Sequence, residues 1–353
     1  MAKDNDGDLG KAAGASWREA PPEGGQASTR SDSVKRRAKA AAVHVRENLA
    51  GTEPLPGRDA ADLVGESKIQ RPVAEPVNVP PLRYRTLIVR MCTGAVYVAI
   101  NVLAILWGKL PTAVLMAATA GICCWEFFRL MRADAKSPNQ PLGILFAVSM
   151  PLISLTNPVY LVAIVFLLFM LLGIWYVVNQ RARITDVAIT LFGPIYTGMT
   201  LSALVAVRSA AVLDNVGCIV LCIGIMMSVW ANDSFAYLVG SRFGKHKMVP
   251  KISPKKSWEG FAGGIVGSVV IWLLLLFFPQ THVTPLVAVA CGVLCGVTGV
   301  IGDLVESRIK RGAGVKDSGN MIPGHGGLLD RSDSMLFVAI TAYFLLRIMR
   351  VIV

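Results

Sequence analysis

Charge is what this chain has least of. Asp, Glu, Lys and Arg make up only 16% of its 353 residues, against about 25% in an ordinary soluble domain. That deficit excludes a conventional water-facing surface over most of the length. Cysteine is present but unorganised. Cys92, Cys123, Cys124, Cys218, Cys222, Cys291 and Cys295 all lie inside apolar runs, so nothing argues for a disulfide framework. The Cys218/Cys222 and Cys291/Cys295 pairs have one-turn helical spacing, but no His or further Cys stands nearby to complete a tetrahedral metal set. They read as small packing residues. The N-terminus lacks an apolar core segment with a cleavage site, so no signal peptide is expected. No internal repeat of the transporter kind stands out.

What is abundant is apolar sequence, 54% of the chain, with a mean hydropathy of +0.55. It is unevenly spread. Residues 1–82 are rich in Gly, Pro, Ala, Ser and mixed charge, a composition that cannot bury enough surface to offset its ordering entropy. They are expected to form a disordered polar cytoplasmic tail. Within it, Val34 to Ala50 could form a short basic helix touching anionic lipid, although a solvated stretch is the simpler reading. Residues 83–353 read as a helical membrane domain. A span needs about twenty mostly apolar residues, and nine candidates follow, at 86–107, 110–130, 142–156, 158–178, 187–207, 216–239, 260–278, 285–305 and 334–353. The third is short and contains Pro151, so eight spans plus a re-entrant segment is the alternative. The expected fold class is therefore all-α, a polytopic membrane protein of about nine transmembrane helices.

The net charge of +12 is more informative by position than by total. Up to Arg85 there are 14 Lys/Arg against 12 Asp/Glu; beyond it, 21 against 11. With the tail in the cytoplasm, Arg129, Arg132, Lys136, Arg181, Arg183 and the loops Arg242–Lys256 and Arg308–Arg331 fall on one side. The other side receives little beyond Lys109, Arg208, Arg347 and Arg350. Basic loops of this kind mark cytoplasmic orientation or anionic headgroups, and nucleic acid is not an expected partner. Small residues at four-residue spacing, Gly263/Gly267 and Gly292/Gly296 with Gly299 and Gly302, let membrane helices approach closely.

Because acids are scarce after Arg85, each carries information. Asp233 lies inside an apolar span, where an unpaired carboxylate costs about 2.5–3.5 kcal/mol. It is followed by the basic Ser253-Pro254-Lys255-Lys256-Ser257 stretch, which offers charges, hydroxyls and helix N-terminal amides to an anion. A second region reads Gly302-Asp303-Leu304-Val305-Glu306-Ser307-Arg308-Ile309-Lys310-Arg311, then Lys316-Asp317-Ser318-Gly319, then Pro323-Gly324-His325-Gly326-Gly327-Leu328-Leu329-Asp330-Arg331-Ser332-Asp333. On a helix, Asp303, Ser307, Lys310 and Arg311 share a face, and Asp330 and Asp333 form a similar pair. Carboxylates interleaved with Lys and Arg beside a Gly-rich turn suit phosphoryl chemistry around a hard divalent cation such as Mg²⁺.

The run from Ser307 to Asp333 closely resembles the signature of phosphatidate cytidylyltransferases, also called CDP-diacylglycerol synthases. Ser, Lys-Arg, Lys-Asp, His-Gly-Gly, Asp-Arg and Asp stand at that family's spacing; Ser332 replaces its usual apolar residue or Thr. With the Asp233 and Ser253–Gly260 segments, the resemblance covers roughly residues 83–353. It implies a homodimeric, nine-span enzyme of the cell (inner) membrane with a cytoplasmic active site. Its substrates would be CTP and phosphatidic acid, and its product the membrane lipid CDP-diacylglycerol. It also implies a cation centre on the acids matched to Asp303 and Asp330, and a second, monovalent ion.

On this reading Asp303 and Asp330 bind Mg²⁺ with Asp333 as an additional or supporting ligand. Lys255, Lys256, Lys310 and Arg331 hold the CTP triphosphate and lipid phosphate, Ser307 donates to a phosphate oxygen, and His325 donates a hydrogen bond or braces its turn. Asp233, Arg311 and Lys316 complete the expected substrate-binding set. Two competitors remain at this point. A secondary transporter would use intramembrane carboxylates as an ion path. A CTP-dependent lipid kinase would release CDP rather than pyrophosphate.

Overall fold

The computed structural model describes residues 84–352 apart from 135, 158, 320 and 322–325, with side chains from Met91 onward. The expectations for the tail, for Val34–Ala50 and for His325 lie outside the described residues.

Nine helices are found among the described residues: α1 (Tyr84–Trp107), α2 (Lys109–Ala133), α3 (Gln140–Ile153), α4 (Tyr160–Val178), α5 (Ile184–Arg208), α6 (Asn215–Phe243), α7 (Trp258–Leu274), α8 (Pro285–Gly312) and α9 (Leu329–Ile348). Six of them, α2, α4, α5, α6, α7 with its following turn, and α8, are long and apolar enough to cross a membrane. At 1.5 Å per residue, the 14 residues of α3 reach only about 21 Å, short of a hydrocarbon core of about 30 Å. The architecture is that of a mostly helical, multi-pass membrane protein.

The breaks follow local chemistry. Gly108, at φ +144°, turns the chain between α1 and α2 in a conformation L side chains rarely adopt. Asn139, Asp214, Ser257 and Thr284 cap α3, α6, α7 and α8, each side chain accepting a hydrogen bond from a backbone N–H three residues on. Pro194 cannot donate to the helical ladder, and α5 widens into a π-turn at Ile195–Met199. Thr197 and Thr200 return hydroxyl hydrogen bonds to the carbonyls of Gly193 and Tyr196 there.

The core is built from α2, α5, α6, α8 and α9, with Phe128, Leu204, Leu221, Cys291 and Leu336 fully buried. By contrast, α4 buries only Leu168 and Leu172, and leaves Val162, Phe166, Phe169 and Ile174 exposed. The glycine spacing in α7 and α8 serves packing within the chain. A Cβ on Gly267 would meet Phe235 of α6, and one on Gly292 would strike the backbone of Val269 on α7.

The differences from the sequence reading that bear on the site lie at two helix ends and in one hairpin. Helix α8 continues to Gly312, seven residues past the expected limit, and α9 begins at Leu329, five residues early. Hydropathy ends at the charged residues, but Glu, Lys and Arg are good helix formers, so the hydrogen-bond ladder does not. A two-stranded antiparallel hairpin, β1 (Lys247–Val249) and β2 (Ser253–Ser257), interrupts the helices. It is short and turns at Pro250-Lys251, and its polar composition carries no apolar alternation that would have announced a strand.

Candidate active site

The functional side chains gather where the C-terminal half of α8, the first turn of α9, β2 and the end of α2 meet. Helices α8 and α9 touch at Gly302. A Cβ there would fall 2.5 Å from the carbonyl oxygen of Asp333 and 3.1 Å from Cα of Ser334. Only a glycine lets the backbones close to this distance, and the contact sets Asp303 beside Asp333. One turn further along α8, Glu306 joins them. Carboxylate oxygens of Asp303, Glu306 and Asp333 all lie within 4.8 Å of one another.

Basic residues surround the acids. Lys256 Nζ sits 2.7 Å from Asp303 Oδ2, and Ser307 Oγ donates to Asp303 Oδ1 at 3.2 Å. Lys310 bridges two acids, 2.5 Å from Glu306 Oε2 and 2.7 Å from Asp330 Oδ1. Glu306 is fully buried, with the Lys310 ammonium as its ion-pair partner. Four carboxylates, Asp303, Glu306, Asp330 and Asp333, thus face two ammonium groups, Lys256 and Lys310. Burying that excess of negative charge is costly unless a cation compensates it. An oxygen-only donor set in which carboxylates outnumber the ammonium groups paired with them fits a hard divalent cation.

Asp330, expected as a metal ligand, is held by donors from the segment between α8 and α9 and by Lys310. Its oxygens accept from Lys310 Nζ, from the N–H of Ser318 at 2.9 Å and from the N–H of Gly327 at 2.8 Å. Both are committed to bracing the loop that joins α8 to α9. Gly326, at φ +87°, makes the turn that aims the Gly327 N–H inward.

The remaining expected residues separate into near and far. Asp233, on α6, lies within electrostatic reach of Asp303, Lys256 and Arg331. Lys255 and Lys256 alternate on β2; Lys256 reaches Asp303 while Lys255 is exposed. Arg311, Lys316 and Arg331 are exposed, and Arg311 donates to the carbonyl of Val315 rather than to the acids.

Sequence reasoning gave no role to Glu306 or Glu126. Glu306 stands three residues after Asp303 and so shares its helix face. Glu126 is the single acid of α2, a lone carboxylate in an apolar span, the same signal that singled out Asp233. It is fully buried, and its oxygens accept from Ser318 Oγ (3.1 Å) and from the N–H groups of Leu328 (3.2 Å) and Leu329 (2.8 Å).

A model described as the cytidylyltransferase family matches residues 88–349, a stretch that contains every one of these residues. The chain belongs to the cytidylyltransferase family. Among curated members, the phosphatidate cytidylyltransferase of Bacillus subtilis (strain 168) is 34% identical over 263 residues, 73% of this chain and 96% of the relative. That of Staphylococcus haemolyticus (strain JCSC1435) is 38% identical over 170 residues, 48% of this chain and 63% of the relative. That of Mycobacterium tuberculosis (strain ATCC 25618 / H37Rv) is 48% identical over 124 residues, 35% of this chain and 38% of the relative. In this cytidylyltransferase family member, the buried acid cluster lies within the matched segment.

Proposed function

We infer that this chain is a nucleotidyltransferase that moves the cytidylyl group of CTP onto phosphatidic acid, giving CDP-diacylglycerol and pyrophosphate. The observation that carries the reading is the family match over residues 88–349, which encloses the whole acid–lysine cluster.

The nucleophile needs little activation. A phosphate monoester has a second pKa near about 6, so phosphatidic acid is already largely dianionic at neutral pH. Two repelling anions must instead be neutralised and aligned. Asp303, Glu306 and Asp333 would hold a divalent cation, Mg²⁺ in this proposal, which when bound supplies neutralisation of phosphate charge. Lys256, half-buried and paired with Asp303, presents its ammonium to the triphosphate. Ser307 fixes the orientation of Asp303. Lys310 and Asp330 lock each other and hold the α8–α9 loop. Lys255, Arg311, Lys316 and Arg331, exposed near the same end, supply a positive field that draws in anionic substrates.

The finer assignments belong to the same proposal. All nine helices cross or enter the cell (inner) membrane, with the acid cluster facing the cytoplasm, where CTP is found. The homodimer and a second, monovalent cation rest on the resemblance. The test is an assay of purified protein with phosphatidic acid, Mg²⁺ and each nucleoside triphosphate in turn. CTP-dependent formation of CDP-diacylglycerol with an equal amount of pyrophosphate is expected. Release of CDP with a phosphorylated lipid would replace the transferase by a kinase.

A further inference from the structure

Glu126 has no part in the chemistry above, yet it is among the most completely enclosed charged groups in the molecule. Its partners lie about two hundred residues away in sequence, and all belong to the segment that leads into α9. Helix α9 has no capping side chain of its own; Leu328 occupies the N-cap position and offers none. The first N–H groups of a helix lack internal partners, and a carboxylate there is favoured by both hydrogen bonding and the helix dipole. Glu126 supplies that carboxylate from a different helix.

The neighbourhood is shaped around it. Side chains at Gly319 or Gly327 would run into the Glu126 carboxylate. Three residues along α2, Arg129 donates to the carbonyl of Ser318 at 2.5 Å while lying over the Trp125 ring. Ser318 is therefore held at its hydroxyl by Glu126, at its carbonyl by Arg129 and at its N–H by Asp330. Two acids from two helices divide the donors of one loop, and the turn they secure is the one that presents Asp330 and Asp333.

We propose that Glu126 is the positioning residue of the reaction centre, capping α9 from α2 and so fixing Asp333 against Asp303 and Glu306. This rests on the reading of those three acids as the reaction centre. The test uses the full chain in lipid nanodiscs. For Glu126→Gln, kcat should fall by between about tenfold and about 10²-fold, the range expected when reacting groups shift by about an ångström. KM for CTP and for phosphatidic acid should stay within about threefold. Amide exchange should accelerate at Leu328 and Leu329 and remain unchanged in α4 and α6. Glu126→Asp, which keeps the charge, should recover part of the lost kcat. Ser318→Ala, which removes only one donor, should shift both readouts the same way by less.

Unchanged kcat in Glu126→Gln would overturn the proposal. So would faster exchange throughout the protein in both Glu126→Gln and Ser318→Ala, which would make Glu126 a residue of global stability. Asp303→Asn run in parallel separates the two readings. It should lose turnover without altering exchange at Leu328 and Leu329. Normal turnover there removes the reaction centre itself, whereas an inactive Asp303→Asn beside a fully active Glu126→Gln removes only this inference.

Discussion

Replacing Glu306 by Gln should separate metal binding from folding. Removing one partner of a buried ion pair commonly costs about 3–5 kcal/mol, because the other charge is stranded. Here Lys310 keeps Asp330 at 2.7 Å, so nothing is stranded. The loss also relieves repulsion between Glu306 and the nearby acids Asp303 and Asp333. In metal-free buffer the variant should therefore be as stable as the parent, or more stable by up to about 1–4 kcal/mol. The effect of Mg²⁺ should be the reverse. A ligand at a hundred times its dissociation constant stabilises by about 2.7 kcal/mol. If loss of one carboxylate weakens binding about 100-fold, the same concentration gives only about 0.4 kcal/mol. Unfolding in detergent with and without Mg²⁺ would thus show a difference of about 2.3 kcal/mol between parent and variant. Turnover should fall by about 10²-fold or more. Equal Mg²⁺-dependent stabilisation in both proteins would refute the assignment of Glu306.

Asp303→Asn should reduce CDP-diacylglycerol formation by at least about 10²-fold with the protein folded in detergent; near-normal turnover would dismiss Asp303 from the centre. Lys256→Ala should raise KM for CTP by about tenfold or more, roughly 1.4 kcal/mol, whereas Lys255→Ala, on the exposed face of β2, should change it by less than about threefold. An equal response of the two would contradict the alternation on β2. Gly302→Ala should destabilise by about 1–3 kcal/mol and lower kcat, because the new methyl group meets the Asp333 main chain; a melting temperature and rate like the parent's would show that the contact yields.

Much of this was legible in the sequence because long apolar runs have few ways to fold. Each of the nine expected spans overlaps a helix. The limits went astray where polarity and helicity part company, at Glu306–Gly312 and Leu329–Asp333, since hydropathy reports solvent and not hydrogen bonding. Glu306 was passed over, but Asp303 on α8 and Asp330 and Asp333 on α9 were found from their helical spacing. Which of them converge was not, because that depends on how two helices cross at Gly302, a contact between residues thirty-one apart in sequence. Asp330 looks the same as Asp333 in the sequence, and the Lys310 ammonium with the N–H groups of Ser318 and Gly327 distinguishes its environment. Glu126 lies farther still from its partners, and no spacing rule connects it to Leu329.

The meeting of main chains at Gly302 has a consequence for how such a protein can change. Two of the three converging acids stand next to a backbone junction, so their separation is set by the crossing of two rods, held where the anchored ends of the route between them are braced. Residues along that route can lengthen or shorten, provided its two anchored ends stay in register, while the gap between the acids stays constant. The geometry of the acids is written in that weld.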